Sequence, residues 1–125
     1  MVFLVILKTM RNSESLKKNN DFRKVYRTGR SHANKNLVMY VRRNDLARNR
    51  IGISVSKKVG NSVVRHHLTR LVRESYRLHE EEYRIGYDVV VVARVHARDC
   101  TYAEIERAML QLAAKHHLLE VERTG

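Results

Sequence analysis

Proline is absent from this chain of 125 residues, and cysteine occurs once, at Cys100. A lone cysteine excludes an internal disulfide and a zinc site built from several cysteines, so we expect the chain to work in the reducing cytoplasm. No repeat, low-complexity segment or proline-rich linker divides the sequence. The length therefore suits one domain, which is long enough to bury a core but too short for two.

Long apolar runs are missing as well. The chain begins with seven apolar residues, whereas a membrane-spanning helix needs about 20. Neither a basic leader nor a small-residue cleavage site accompanies this stretch, so the sequence predicts no signal peptide and no membrane partner. We expect residues 1–10 to be a disordered extension or an overlong start, residues 11–118 to be the domain, and residues 119–125 to be a C-terminal tail.

Acidic residues are few relative to basic ones. The chain has 13 Asp and Glu against 25 Lys and Arg, which amounts to a formal net charge of +12. The imbalance is confined to residues 1–77, which hold 19 basic and 4 acidic residues, whereas residues 78–125 hold 6 and 9. This distribution predicts a polyanionic partner that is bound by the first two thirds of the chain.

A helix with two chemically different faces follows the lysine pair Lys57 and Lys58. At about 100° per residue, one face is apolar and consists of Val64, Leu68, Leu71, Val72, Ser75 and Leu78. The other face is basic and consists of Arg65, His66, Thr69, Arg70, Arg73 and Arg77. Glu74 is the only acid between Lys57 and Arg77, so salt bridges along the helix cannot neutralise this face. The pattern favours a phosphate-binding face over a merely solvated one.

The remaining periodicity predicts one α+β domain in the order helix, strand, strand, helix, strand, helix. Residues 17–28 have the spacing of a short amphipathic helix, with Gly29 at its C′ position. Alternating apolar residues predict strands at residues 37–42 and 50–56. A nearly continuous apolar run at residues 88–93 predicts a central strand covered on both faces. Residues 101–115 have the pattern of a last helix, which begins with a capping box of Thr101 and Glu104.

Very small residues line one face of the second predicted strand. Gly52, Ser54 and Ser56 alternate with apolar residues that face the core. We therefore expect floor space for a ligand on this side of the sheet.

Groups that could catalyse a reaction or bind a metal do not converge in the sequence. The pair His66 and His67 and the pair His116 and His117 are each adjacent, and adjacent helical residues point in different directions, so neither pair chelates one ion. No Ser-His-Asp order or phosphate-cradling glycine loop is present. The sequence therefore predicts no catalytic and no metal-binding residue in this chain, even if its RNA partner is cut.

The stretch at residues 57–73 resembles the basic segment of the bacterial ribonuclease P protein subunit. The residues that match the family pattern are Lys57, Lys58, Gly60, Asn61, Val63, Arg65, Arg70, Leu71 and Arg73. The chain departs from the pattern at His66 and His67, where the family has Asn-Arg, and at Thr69, where a lysine is usual. The resemblance continues in order over residues 11–118.

The resemblance implies a fold and a function. The fold is a single small α+β domain with a mixed sheet of about four strands, three helices and a left-handed βαβ crossover, whereas such crossovers are usually right-handed. The function is that of the protein subunit of a ribonucleoprotein endonuclease, which removes the 5′ leader from precursor tRNA. Its implied partners are the RNase P RNA and precursor tRNA, with no protein partner, and Mg²⁺ is implied to be bound mainly by the RNA subunit, which performs the hydrolysis.

Two sets of binding residues are also implied by the resemblance. The set expected to contact the catalytic RNA is Lys57, Lys58, Asn61, Arg65, His66, His67, Arg70 and Arg73. The set expected to bind the single-stranded leader is Phe22, Tyr26, Tyr40, Lys18, Ser54 and Ser56. By spacing alone, Phe22 suits the core better than a binding site, and the two tyrosines could close the edge of the core.

One alternative belongs to a different functional class. A basic structural RNA-binding protein of the ribosomal type would have the same charge and a similar fold without any role in catalysis. Substrate affinity that depends on leader length would distinguish the two, because a structural binder has no reason to sense the leader. An autonomous nuclease would need activity without RNA, for which the sequence offers no groups.

Overall fold

The computed structural model describes residues 13–120, so the expected extension at residues 1–10 and residues 121–125 of the expected tail lie outside the described residues. Its strands and helices, in chain order, are β1 Ser13–Ser15, α1 Asn19–Thr28, β2 Arg30–Ala33, β3 Leu37–Arg43, β4 Asn49–Ser54, α2 Ser62–Leu78, β5 Tyr87–Ala93 and α3 Tyr102–Lys115. Short 3₁₀ segments at Glu80–Glu82 and Val95–Asp99 lie on either side of β5. No helix in this part of the chain is long and apolar enough to cross a membrane.

The strands form one mixed sheet in the order β1, β4, β5, β3, β2. β1 and β5 pair with β4 in parallel, whereas β3 pairs with β5 and β2 in the antiparallel direction. The α+β class and the three helices are confirmed, and the sheet has one strand more than the four expected. Pattern reading missed the two edge strands, because β1 is only three residues long and β2 is polar and exposed along its whole length.

The chain leaves β4, passes through α2 and returns as β5, the parallel neighbour of β4. This pairing is the one that the implied crossover requires, and the left hand of the crossover stays a prediction. The central position predicted for β5 is confirmed, since Val89 and Val91 face one layer of helices while Val90 faces the other.

Two cores of unequal size lie on the two faces of the sheet. The larger core joins the sheet to α2 and α3, and α3 contributes Ile105, Ala108, Met109, Leu112 and Ala113. The smaller core lies under α1 and contains Leu16, Val25 and Val90. Because α1 covers only part of its face, the rest of that face is left open as a groove.

Of two predicted helix ends, one differs from its predicted form and one agrees with it. α1 ends at Thr28, and Gly29 is its C-cap rather than its C′ residue; the φ of Gly29 is −86°, so the residue is extended rather than left-handed. Glycine is required for space, because a Cβ at this position would lie 2.6 Å from the carbonyl oxygen of Val25 and 2.9 Å from that of Val41. The capping box predicted at Thr101 and Glu104 is present at the start of α3.

The packed face of α2 also differs from the prediction at its C-terminal end. Leu68, Val72 and Ser75 are buried as predicted, and Tyr76 is fully buried with them. Leu78, placed on the same face by spacing, is 41% exposed. The core lies under Leu68, Val72 and Tyr76, a stripe from which Leu78 is turned away.

Candidate nucleic-acid interface

A tight turn presents the lysine pair ahead of α2. The backbone N–H of Val59 donates to the carbonyl oxygen of Ser56 at 3.1 Å, and that of Lys58 donates to the Ser56 hydroxyl at 3.3 Å. Val59 is buried and anchors the turn, while Lys57 and Lys58 are exposed. Asn61 then caps α2, since its side-chain oxygen accepts from the N–H of Val64 at 3.0 Å.

The first half of α2 carries a shallow basic groove on its outer side. We call it the α2 groove; it has a volume of about 500 Å³ and is lined by Ser62, Val63, His66, His67 and Arg70. All five residues are exposed, and the Val63 side chain gives the groove an apolar floor. The only acid on the helix, Glu74, is bound by Arg77 one turn further on. No carboxylate therefore lines the α2 groove.

Arg65 and Arg73 lie away from the α2 groove. Arg73 Nη1 donates to the Ser15 hydroxyl at 2.9 Å and so reaches back to strand β1. Arg65 is half-buried, and its Nε is buried without a hydrogen-bond partner in residues 13–120. Arg65 lies three positions before Leu68 and seven before Val72, and these spacings bring its side chain to the packed side of the helix. The basic residues predicted as one face are thus divided between two sides of α2.

Three aromatic rings cluster between α1 and the sheet. The Tyr26 ring lies 4.9 Å from the Tyr40 ring, edge to face, and 6.3 Å from the Phe22 ring. Tyr26 is 39% exposed, while Phe22 and Tyr40 are half-buried and pack against the smaller core. A Cβ on Gly52 would lie 2.6 Å from Phe22 Cζ, so the Phe22 ring occupies the space over this glycine. The free floor predicted along β4 therefore begins at Ser54.

A second groove opens beside this aromatic cluster. We call it the aromatic groove; it encloses about 330 Å³ and is lined by Asn19, Phe22, Arg23, Tyr26, Ile53 and Ser54. Asn19, Arg23 and Ile53 were missed by sequence reasoning, although Asn19 and Arg23 have the i, i+4 spacing that places them on one side of α1. Lys18 precedes α1 and is exposed, but neither Lys18 nor Ser56 lines the groove.

A buried ion pair holds α1 in place over the sheet. Asp88, which is 1% exposed, accepts two hydrogen bonds from Arg50 at 2.8 Å each and one from Asn44 at 2.9 Å. Arg50 also reaches Asp21 on α1 at 3.5 Å. Burial raises the pKa of Asp88, but the hydrogen bonds from Arg50 and Asn44 outweigh it and leave the pKa below its ordinary value. Asp88 therefore stays charged and holds Arg50 in place. Arg50 in turn contacts α1, the helix that forms one wall of the aromatic groove.

The two grooves do not contain a set of metal ligands, and neither is lined by a cysteine. In the described part of the chain, no group of three or more His, Cys, Asp or Glu side chains could hold a metal ion. Burial and the nearby Glu104 raise the pKa of the Cys100 thiol, so this cysteine lacks the stabilised thiolate of a nucleophile. The two grooves and the lysine turn present guanidinium, ammonium, imidazole and hydroxyl groups together with aromatic rings. These groups suit the binding of a polyanion with unpaired bases.

Residues 10–117 match the sequence profile of the family described as ribonuclease P. A ribonuclease P protein component of Lachnoclostridium phytofermentans is 54% identical over 107 residues, which cover 86% of this chain and 92% of that protein. The corresponding protein of Alkaliphilus metalliredigens is 52% identical over 110 residues, which cover 88% of this chain and 99% of that protein.

Solved structures agree with the sequence comparisons. The RNase P protein of Staphylococcus aureus superposes with a TM-score of 0.79 at 34% identity, covering 85% of this chain and 97% of that one. The RNase P protein of Thermotoga maritima superposes with a TM-score of 0.76 at 26% identity, covering 87% of this chain and 98% of that one.

Proposed function

The chain belongs to the ribonuclease P protein family and is a protein component of the ribonucleoprotein that processes precursor tRNA, and we propose that its two grooves bind two different RNAs. The α2 groove, with the lysine turn before it, binds the RNase P RNA. The aromatic groove binds the single-stranded 5′ leader of precursor tRNA. A structural RNA-binding protein without a role in processing, the alternative considered from the sequence, is not supported by these relatives.

The exposed basic residues of the α2 region support its assignment to the RNA subunit. Lys57, Lys58, His66, His67 and Arg70 are exposed around the start of α2, and no carboxylate lines the groove. Asn61 contributes by capping α2, whereas Arg65 and Arg73 lie away from the α2 groove. Backbone phosphates are recognised by this combination of cations and a helix N-terminus. His66 and His67 would offer imidazole hydrogen bonds where the family has asparagine and arginine.

The open aromatic cluster is the observation that carries the leader assignment. Tyr26 presents an exposed ring at the edge of the aromatic groove, next to Arg23, and Ser54 offers a hydroxyl on the groove floor. Unpaired bases stack on such rings with little sequence preference, while a neighbouring cation holds the backbone. Phe22 and Tyr40 support the Tyr26 ring from either side. Lys18 and Ser56 do not line the aromatic groove, so they would contact only leader nucleotides that extend beyond it.

The side chains that line the grooves suit RNA binding better than Mg²⁺ binding, which supports different roles for the protein and the RNA subunit. Mg²⁺ binds carboxylate, carbonyl and phosphate oxygens, whereas both grooves are lined mainly by cations, rings and hydroxyls. We therefore place Mg²⁺ on the RNA subunit, and assign to this chain the neutralisation of phosphates and the binding of the leader. We also place the complex in the cytoplasm, in keeping with a single cysteine.

Substitution of Tyr26 and Tyr40 tests the leader assignment. We expect Tyr26→Ala and Tyr40→Ala to weaken binding of precursor tRNA to the assembled holoenzyme by about five- to a hundredfold, because stacking on one base is worth roughly 1–3 kcal/mol. Binding of mature tRNA, which has no leader, should stay nearly unchanged. The measurement is the equilibrium affinity for substrates with leaders of increasing length.

Tyr26→Phe and Tyr40→Phe are the matched controls, since they keep the ring and remove only the hydroxyl. Both should retain the preference for long leaders. Equal weakening of precursor and mature tRNA by the alanine variants would contradict the assignment and leave the tyrosines as packing residues.

A further inference from the structure

Another concentration of positive charge lies at the β2 edge of the sheet, opposite the β1 edge that α2 contacts through Arg73. A groove of about 350 Å³ is found there, and we call it the edge groove. Its polar and aromatic lining consists of Thr28, Arg30, Arg42, Arg43, Tyr87 and His116. Three arginines and a histidine thus meet where no carboxylate lines the surface.

The three arginines differ in how far their charge is compensated. Arg42 is occupied: its Nε donates to the Thr28 hydroxyl at 3.0 Å, and its Nη1 lies 3.9 Å from the Asp88 carboxylate. Arg30 and Arg43 are exposed, and neither has an ion pair within residues 13–120. Asp88, which lies near Arg42, is buried and already bound by Arg50. The charges of Arg30 and Arg43 are therefore available to a partner.

His116 forms part of the wall of the same groove and is held there by a backbone hydrogen bond. Its Nε2 must donate to the carbonyl oxygen of Met39 at 2.9 Å, because a carbonyl only accepts. Nδ1 is then the ring nitrogen that gains a proton when the imidazole becomes charged. Burial lowers the pKa of His116, and the nearby His32, Arg30 and His117 lower it further against the opposing hydrogen bond to Met39. A bound anion would relieve this clustering of positive groups.

The lining favours phosphate over an unpaired base. Arg43 lies over the Tyr87 ring, with its guanidinium carbon 6.0 Å from the ring centre, and Tyr87 is half-buried. The groove thus offers no free aromatic face for stacking, in contrast to the aromatic groove. Guanidinium groups match the geometry of phosphate oxygens and form two parallel hydrogen bonds with them.

We propose that the edge groove binds backbone phosphates of the RNase P RNA, as a second contact surface for the RNA subunit apart from α2. The inference rests on the proposed function, because it takes the RNA subunit as the partner of the chain. Arg30 and Arg43 supply the phosphate contacts, and Arg42 and His116 form part of the wall of the groove. The RNA subunit therefore contacts the chain at two separate places, the α2 groove and the edge groove.

The test is the salt dependence of RNase P RNA binding by the full chain carrying Arg30→Ala and Arg43→Ala together. Each lost phosphate contact lowers the slope of log K against log salt by about 0.9. The affinity gap between wild type and double variant should therefore shrink about twelvefold between roughly 50 and 200 mM salt. Arg30→Lys with Arg43→Lys should restore most of the slope, because the charges return. Thermal unfolding of both variants should match that of the wild type.

Arg98→Ala with Arg107→Ala is the matched control, since it removes the same charge from exposed positions outside the groove. An equal loss of slope in this control would overturn the proposal, because the effect would then report net charge. An unchanged slope in the Arg30 and Arg43 variant, with weaker binding of mature tRNA to the holoenzyme, would overturn it by making tRNA the occupant. Arg70→Ala in the same assay tests the α2 groove separately, so failure of one surface is distinguishable from failure of the other.

Discussion

His79 joins three parts of the structure through one side chain. It follows α2, its Nδ1 lies 2.7 Å from Glu82 in the 3₁₀ segment, and its Nε2 lies 2.7 Å from Glu106 on α3. Two carboxylate acceptors require both ring nitrogens to donate, which only the protonated imidazole can do. Burial lowers the pKa of His79, but the hydrogen bonds and charges of Glu106 and Glu82 outweigh it and raise the pKa above its ordinary value.

We expect His79→Gln to destabilise the protein by about 1 kcal/mol below pH 6 and by less at pH 8. Because the folded pKa is raised, the stabilising contribution of the imidazolium is complete below the unfolded pKa of about 6.5 and is lost as the pH rises through the folded value. Urea unfolding of wild type and variant across this range measures the difference. Comparing the two chains removes the opposite contribution of His116, whose pKa is lowered.

His96→Gln serves as the control, since His96 is exposed and has no ion pair in the described part of the chain. Its effect on unfolding should be small at every pH. A destabilisation by His79→Gln that does not change with pH would mean that the ring acts through packing instead of charge.

At the scale of elements, α2 combines binding and structural roles along its length. Its N-terminal half carries the exposed His66, His67 and Arg70, and further along Arg73 and Tyr76 hold strand β1. The Tyr76 hydroxyl lies 2.6 Å from that of Ser13 and accepts from Asn49 at 3.2 Å. Arginines on the same helix should therefore respond differently to truncation.

Arg70→Ala should reduce the salt slope of RNase P RNA binding by about 0.9 and leave thermal stability unchanged, because its side chain is exposed in the α2 groove. Arg73→Ala should lower the free energy of unfolding by about 1 kcal/mol, because it removes the hydrogen bond to Ser15. Salt titrations and urea unfolding of both variants provide the measurements. A large stability loss in Arg70→Ala with an unchanged slope would show that the α2 groove is structural.

At the scale of the whole molecule, one sheet carries basic or aromatic grooves on different sides. The aromatic groove lies on the α1 face, the α2 groove on the outer side of α2, and the edge groove near β2. The buried pair of Asp88 and Arg50 joins β5 to β4, and Arg50 also reaches Asp21 on α1 at 3.5 Å. On the proposed assignment, the two RNAs would lie at set positions relative to each other, because one sheet carries both grooves.

We expect the purified chain alone to leave precursor tRNA uncut, with cleavage at low Mg²⁺ appearing only after RNase P RNA is added. The reason is that residues 13–120 bring no cluster of carboxylates and histidines together beside either proposed RNA groove. The measurement is cleavage of end-labelled precursor tRNA with and without the RNA subunit. A mock purification excludes contaminating nuclease, and cleavage by RNA-free protein at a comparable rate would refute this expectation.

Patterns within single elements were predictable from the sequence. Alternation along β3 and β4 identified the residues that face the core, and the capping box at Thr101 and Glu104 identified the start of α3. These features depend on neighbours within a few residues, because side-chain direction follows from the local period of the backbone. The net charge and its confinement to residues 1–77 likewise follow from composition and indicate a polyanionic partner.

Which polar and aromatic side chains remain free was decided only by the tertiary structure. Arg73 is held by Ser15, 58 positions earlier, and Asp88 is held by Arg50, 38 positions earlier. Phe22 fills the space over Gly52, which the sequence left open for a ligand. The edge groove combines residues from α1, β2, β3, β5 and the end of α3. A side chain's availability depends on partners that only folding brings near, and local periodicity carries no information about them.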